Sequence, residues 1–289
     1  MSALPVKSEA FPHVVHSVAD LRKAVGAYRS KGERVAVVPT MGALHDGHLA
    51  LVEVARREAE RVVVTIFVNP SQFAPREDFS RYPRDFDGDL AKLARLQTDL
   101  VFAPDVAAMY PKGFATRVNV SGLSEGLCGA TRPHFFGGMA TVVTKLLNQC
   151  AADVAIFGEK DYQQLLVVKR LAADLDIPTR IIGMPTVREA DGVALSSRNV
   201  YLTPEQRRVA PLLHQTLQAI AKTAHSGGNV GTAIDDGFAA LAAAGFAPID
   251  YLALCDAETL VPIARLDGPG RVLGAAWLGS TRLIDNIPA

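Results

Sequence analysis

The stretch VVPTMGALHDGHLALV, Val37 to Val52, decides how the chain is read. Its opening continues RVAVVP (34–39), an apolar, β-branched run with the texture of a strand buried on both faces. Pro39 has no N–H to give to a ladder and marks the end of that strand. Beyond Asp46 the apolar residues recur at helical spacing, so a buried strand passes into a helix through TMGALHDGH. A helix start presents unpaired N–H groups and partial positive charge, which together attract phosphate. Gly42 and Gly47 allow the backbone a closer approach to a ligand than a side chain would permit. His45 and His48, three apart, project from one side of the first turn. Imidazoles in that position donate hydrogen bonds to phosphate oxygens and carry protons near neutral pH. The same pair would also serve as caps or packing residues, or as half of a metal site. Zinc would need further ligands, and no nearby Cys or His completes the set.

Outward from this motif the alternation continues. RVVVTIFV (61–68), DLVFAP (99–104), DVAIFG (153–158) and TRIIGMP (179–185) are further strand-length apolar runs. Between them GHLALVEVARREAE, DGDLAKLARLQ, MATVVTKLLNQC and QQLLVVKRLAADL carry apolar residues at helical intervals. This order predicts an α/β fold, a Rossmann-like parallel sheet with helices on both faces and ligands at the carboxyl ends of its strands. After about Val187 the texture changes. TPEQRRVAPLLHQTLQAIAKTA predicts one long helix, capped by Thr203 with Pro204 at its first position. A glycine-rich loop, an alanine-rich helix and the runs DYLALCD, RVLGAAWLG and TRLIDN follow, the last three reading as short antiparallel strands. The expected organisation is a nucleotide-binding catalytic domain over 1–186 and a smaller C-terminal α+β domain over 187–289 that closes over the ligand site. His214 and His225, on the predicted helices, read as surface residues.

Composition bounds the function classes. Apolar residues make up 49% of 289, enough for a substantial core. Thirty Lys and Arg balance thirty Asp and Glu, which gives no basis for a nucleic-acid groove or an anionic membrane as the main partner. Cys128, Cys150 and Cys255 lack CxxC spacing and read as reduced structural cysteines. The first residues have no apolar core of signal-peptide length, and no run of about 18 apolar residues occurs. A soluble, cytoplasmic protein is expected.

Three more stretches join the first. FGEKDYQQL (157–165) leaves a strand with Gly158, Lys160 and Asp161, a point charge for phosphates beside a carboxylate suited to ribose hydroxyls. ALSSRN (194–199) sets Ser196 and Ser197 beside Arg198, donors that can fork around a polyphosphate. FVNPSQF (67–73) brings Asn69 and Gln72 to a strand end, neutral amides for a small polar substrate. Each alone also reads as an ordinary surface loop; four at strand ends point to a single site. The charged segment SQFAPREDFSRYPRDF (71–86) reads either as an exposed loop or as a lid that keeps water from a reactive intermediate.

Taken together, these stretches resemble the pantoate–β-alanine ligase family of the nucleotidylyltransferase superfamily. PTMGALHDGH looks like that family's form of the HxGH signature, LSSRN like its second phosphate signature, and IFVNPSQF, YPRDFDGDL, FGEKDYQQL, VREADGVALSSRN and GSTRLIDN follow in family order. The resemblance implies adenylation of pantoate by ATP and capture of the adenylate by β-alanine. By position it implies that His45, His48, Lys160 and Arg198 are catalytic, with His48 a proton donor. Met41 and Gly42 would give backbone N–H groups, and Gly47 would keep the approach open. Lys160, Ser196, Ser197 and Arg198 would hold the phosphates, Gly158 and Asp161 the ribose and the Val187 backbone the adenine edge, with Leu195 also binding ATP. Gln72 and Gln164 would hold pantoate, Gln72 also lying near the β-alanine path and Asn69 orienting that region. Mg2+ on the phosphates and a homodimer are implied as well. Two departures stand out. The family's R-P-x-H-F-x-G becomes Arg132-Pro133-His134-Phe135-Phe136-Gly137-Gly138, with the histidine one place early. The acidic pair of YPRxxxDD becomes Gly88-Asp89, which puts an accessory metal site in question. The rival readings are a nucleotidyltransferase with another acceptor and a non-catalytic nucleotide-binding module. The joint presence of His45, His48, Lys160 and Arg198 argues for turnover.

Overall fold

The computed structural model describes residues 11–74 and 77–289. Six strands share one sheet: β1 (His13–Val15), β2 (Val35–Thr40), β3 (Arg61–Ile66), β4 (Leu100–Phe102), β5 (Val154–Gly158) and β6 (Arg180–Met184), in the order β1-β4-β3-β2-β5-β6. The ladders from β1 through β4, β3 and β2 to β5 are parallel. Val35–Val38 and Val62–Val64 are buried throughout, which is why these strands show no polar alternation: helices cover both faces. Five strands match the apolar runs. β1 escapes that pattern because three residues, HVV, are too short to carry a period.

Counting outward from β2, β3 and β4 lie on one side and β5 and β6 on the other. The strand order therefore reverses between β2 and β5, and in open parallel sheets ligands collect at the carboxyl ends flanking such a reversal. β2 ends at Thr40 and feeds the helix Asp46–Glu58; β5 ends at Gly158 and feeds a 3-10 turn, Glu159–Asp161, and the helix Tyr162–Asp174. The histidine motif and the Lys160 turn thus leave the two strands that flank the switch point.

Packing divides the chain into two compact units. The first gathers the described residues up to Val118 with Gly137–Phe157 and Leu171–Met184; the second gathers Asn119–Phe136, Gly158–Arg170 and Pro185–Ala289. The expected boundary at 186 falls beside Pro185, but neither unit is contiguous, because two earlier segments pack with the C-terminal region. The second unit holds β7 (Phe246–Asp256), β8 (Gly270–Leu278) and β9 (Thr281–Pro288), an antiparallel sheet in sequence order. Helices Pro211–His225 and Val230–Ala243 pack on it around Leu213, Leu217, Ile220, Phe246, Leu254 and Val272.

The single helix expected from Thr203 is in fact two, Pro204–Val209 and Pro211–His225. Pro211 has no N–H to return to the carbonyl one turn earlier, so the first helix stops at Ala210. Its start is as expected, with Thr203 and Gln206 capping each other's backbone N–H groups. No described helix is long and apolar enough to cross a membrane.

Candidate active site

In the first unit the loop after β2 is built by reciprocal caps. His45 precedes the helix Asp46–Glu58 with its Nδ1 3.2 Å from the Gly47 N–H, while the His45 N–H reaches the His48 Nδ1 at 3.3 Å. The two rings lie 4.1 Å apart between centroids, tilted by 39°. Backbone amides only donate, so each Nδ1 acts as an acceptor and the ring proton of each neutral imidazole is left on Nε2. In that tautomer the ring proton of both histidines lies on Nε2, at a helix start. Capping, one of the alternatives open in the sequence, is here the device that sets the tautomer.

Upstream, Gly42 has φ +79° and Ala43 φ +50°. The Ala43 and Leu44 amides point at Asp89, 2.8 and 2.7 Å from its two carboxylate oxygens. Lys92 closes the same corner, donating to the Leu44 carbonyl at 2.7 Å. A Cβ on Gly42 would press on Asp89 Oδ2 and on Ile66, which adds a steric reason for glycine to its backbone angle. The Gly42 N–H donates to Thr40 Oγ1 at 3.2 Å.

Asn69 and Gln72 form the second cluster of this unit, both buried. Asn69 Nδ2 donates to Gln72 Oε1 at 3.0 Å and to the Gly138 carbonyl at 3.2 Å. Its Oδ1 accepts from the Ser71 N–H, the Ser71 hydroxyl and Tyr110 OH. Gln72 Nε2 lies 3.1 Å from Met41 Sδ, which ties the amide pair to the residue that opens the histidine loop. Tyr110, 41 positions from Asn69, was invisible to motif reading; burial pushes its hydroxyl pKa up, against the hydrogen bonds to Ser71 and Asn69. A Cβ on Gly138 would strike the Ser71 backbone, which explains the glycine at the end of the Arg132–Gly138 run. In the segment 71–86, Phe73 packs edge-on against Phe79 and Tyr82, with the Arg84 guanidinium over Phe79. Of the expected lid, Pro75 and Arg76 lie outside the described residues.

The second unit holds the other predicted residues. Lys160 stands in the turn after β5 with its Nζ 3.7 Å from Asp161 Oδ2. A Cβ on Gly158 would meet no protein atom within 4 Å, so no packing demand accounts for glycine there. Val187 opens a hairpin whose other side is Leu195; the Leu195 N–H donates to the Val187 carbonyl at 3.0 Å. Ser196 Oγ accepts from the Arg198 N–H at 3.2 Å and caps the 3-10 turn Ser197–Tyr201. Arg207 braces this hairpin through Glu189 and Asp191, each at 2.6 Å. Gln164 is half-buried in the first turn of its helix. Its neighbour Gln163 is structural, bonded to Leu123, Gly126 and Cys128.

His214 is not the surface residue expected, since its ring packs against Asp285 at 3.2 Å with 13% of the side chain exposed. Cys128, Cys150 and Cys255 are all buried, and burial pushes the Cys150 thiol pKa up to about 12.

The comparisons with known proteins bear directly on this arrangement. A family model described as pantoate-beta-alanine ligase matches residues 13–288. The chain belongs to the pantoate–β-alanine ligase family. It is 58% identical to a pantothenate synthetase of Paramagnetospirillum magneticum over 95% of this chain and 97% of that one. To the Caulobacter vibrioides pantothenate synthetase it is 55% identical, over 96% and 98%. Among solved structures, the pantothenate synthetase of Thermus thermophilus matches with a TM-score of 0.90 and 51% identity, covering 95% of this chain and 98% of that one. The ligase of Francisella tularensis, solved with "Beta-gamma ATP and Beta-alanine", matches with a TM-score of 0.79 and 32% identity over 96% and 97%.

Within this pantoate–β-alanine ligase the two departures acquire physical content. A side chain at Gly88 would run into the Asp85 carboxylate that caps the helix Phe86–Arg95. Asp89 has both oxygens on amides, so neither half of the usual acidic pair is placed for a metal. Among the described residues no group of three or more His, Cys, Asp or Glu is arranged to hold a metal ion. His134 is exposed in the turn ahead of the helix Phe135–Cys150, and Phe135, in the usual histidine place, lies under the Arg132 guanidinium at 4.1 Å.

Proposed function

We propose that the protein joins pantoate to β-alanine at the expense of ATP through a pantoyl adenylate. A pantoate carboxylate oxygen attacks the α-phosphorus of ATP and the bond to the bridging oxygen of pyrophosphate breaks. The β-alanine amine then attacks the acyl carbon, and AMP leaves with the former carboxylate oxygen. The observation that carries this reading is the reciprocal His45–His48 cap, which sets two Nε2–H donors beside the switch point of a Rossmann-like sheet. The relative solved with ATP and β-alanine adds support for those two substrates.

In this reading His45 and His48 donate to the triphosphate, with His48 serving the oxygen on which charge develops. An imidazole whose Nδ1 already accepts an amide cannot release its Nε2 proton without becoming an imidazolate. His48 therefore acts by hydrogen bonding, which narrows the proton-donor role implied by resemblance. Lys160, Ser196, Ser197 and Arg198 hold the departing pyrophosphate, Gly158 and Asp161 take the ribose, and the backbone of Val187 with Leu195 takes the adenine edge. Gln72 and Gln164 hold pantoate, with Asn69 fixing the rotamer of Gln72. Catalysis is then positioning and fixed positive charge, with no covalent nucleophile. Mg2+ arriving with ATP would screen the charge that repels a carboxylate. A cytoplasmic setting rests on the cysteine usage and apolar-run lengths of the sequence, and a homodimer on family resemblance.

Exchange of labelled pyrophosphate into ATP tests the reading. It should require pantoate and proceed without β-alanine; exchange supported by a different acid or by none would overturn the assignment.

A further inference from the structure

The C-terminal motif GSTRLIDN spans residues 279–286 at the start of β9. In the second unit its last two residues, Asp285 and Asn286 on β9, are buried among polar partners and grip two separate loops. The Asn286 side-chain Nδ2 donates to the carbonyls of both Glu159 and Lys160 at 2.9 Å. Its Oδ1 accepts from Arg271 Nε at 2.6 Å. Carbonyls only accept and a guanidinium only donates, so the partners fix which end of the amide is oxygen, and the side chain is engaged at both ends.

Arg271 is itself locked, with Nη2 on Glu159 Oε2 at 2.9 Å and its guanidinium 4.0 Å over the Tyr162 ring. One residue back, Asp285 receives both arms of Arg188 at 2.7 and 2.8 Å. Arg188 also donates to the Asn286 carbonyl at 3.1 Å and to the Gly192 carbonyl at 3.0 Å. It stands directly after Val187, in the hairpin that ends at Leu195. Two adjacent residues of one strand thus hold the turn that carries Lys160 and the hairpin that carries Val187.

We propose that Asn286 is a positioning residue for the nucleotide, fixing the Lys160 turn against the hairpin that begins at Val187. The inference rests on the reading above, in which Lys160 meets phosphate and Val187 meets adenine. Holding two consecutive carbonyls with one amide restrains two successive peptide planes, so the Lys160 Cα has little freedom to rotate. The phosphate end and the adenine end of one ligand are then kept in register by a single strand. An aspartate would have the right shape and the wrong chemistry, because its carboxylate would face two carbonyl oxygens with no N–H to offer.

The test is a double-mutant cycle on the full chain, made from Asn286→Asp, Lys160→Ala and both together. Steady-state constants for ATP, pantoate and β-alanine are measured alongside thermal melts. Asn286→Asp should raise KM for ATP or lower kcat by about 10-fold or more, while KM for β-alanine stays within about 2-fold, since small misplacements near the chemistry cost up to about 10²-fold. If Asn286 works through Lys160, the double variant should be no worse than Lys160→Ala alone. Multiplying effects, or a lowered melting temperature with unchanged ATP kinetics, would assign Asn286 a purely structural role and overturn the inference. Unchanged ATP kinetics in Lys160→Ala would instead overturn the phosphate role of Lys160. If Asn286→Asp does not fold, Asn286→Ser, which keeps one donor, enters the same cycle with an intermediate effect expected.

Discussion

Asp89 shows how a single buried carboxylate, 1% exposed, can set the shape of a catalytic loop. Burial pushes its pKa above the ordinary aspartate value, while the Leu44 and Ala43 amides and Lys92 pull it down without fully compensating. A raised folded pKa means that the ionised form is penalised on folding, so the charge is held against the fold's own preference. Removing it outright leaves two amides without an acceptor, at about 1–3 kcal/mol each where they are buried. Asp89→Ala should therefore lower both the melting temperature and kcat. Asp89→Asn, in which only one amide keeps an acceptor, should melt between Asp89→Ala and the native protein and lose about 10-fold in kcat. Native-like kcat for both variants would show that the loop holds itself. The neighbouring histidines allow a sharper comparison. His48→Ala should lose about 10²–10³-fold in kcat, as when an oxyanion donor is removed. His48→Gln, which keeps an N–H donor but no acidic proton, should retain measurably more; equal losses would restore the proton-transfer role. The histidine pair was legible in the sequence because its spacing is local. Asp89 was legible only as the remnant of an acidic pair, because the amides it serves are 45 and 46 positions away.

At the scale of elements, β9 does what no periodic pattern announces. Its inward positions carry Leu283 into the core, but Asp285 carries a charge, and a buried ion pair is stable only while both partners are charged. Burial alone would raise the Asp285 pKa; hydrogen bonds from His214 and Arg188, with the Arg188 charge, outweigh it and hold the carboxyl below the usual range. Its folded pKa thus lies under its unfolded value. The stability it contributes is complete above about pH 4 and is lost as pH falls through the folded value. Asp285→Asn should therefore flatten the acid limb of a melting-temperature profile below about pH 4 while lowering stability at neutral pH. An unchanged acid limb would show that Asp285 does not carry this linkage. Arg188→Ala, which strands the carboxylate, should cost on the order of 3–5 kcal/mol by denaturant unfolding. Apart from the three-residue β1, the strands of both sheets were readable from apolar runs and most helices from spacing. The break at Pro211 was missed because the apolar pattern continues across it, and His214 was misplaced because a lone helical histidine gives no sign of a partner 71 residues ahead.

Across the whole molecule, the division at residue 186 was the natural reading, because the texture of the sequence does change there. A boundary drawn from texture follows the chain, whereas a packing unit follows contacts. The second unit takes in 119–136 and 158–170, and the latter reads in the sequence as part of a regular strand–helix repeat. Their contribution is specific. Leu123, Leu127, Tyr162 and Leu166 pack on Cys255, Leu260 and Leu273, and Gln163 ties the 123–128 turn together through its side-chain amide. Tyr162 also donates to the Ala257 carbonyl at 2.9 Å. A fragment of residues 187–289 would keep all three antiparallel strands and both helices packed on them, yet would expose that apolar cluster. At about 1.5–3 kcal/mol per buried large side chain, uncovering three of them removes a large share of the roughly 5–15 kcal/mol that holds a domain together. It would also leave Arg271 without Glu159 and Asn286 without the two carbonyls it binds. The fragment is therefore expected to melt well below the full chain, or without a cooperative transition, and to bind a hydrophobic dye that the full chain excludes. A fragment that melts cooperatively near the temperature of the full chain, with no dye binding, would show that the C-terminal region is self-sufficient and that 119–136 and 158–170 only lie upon it.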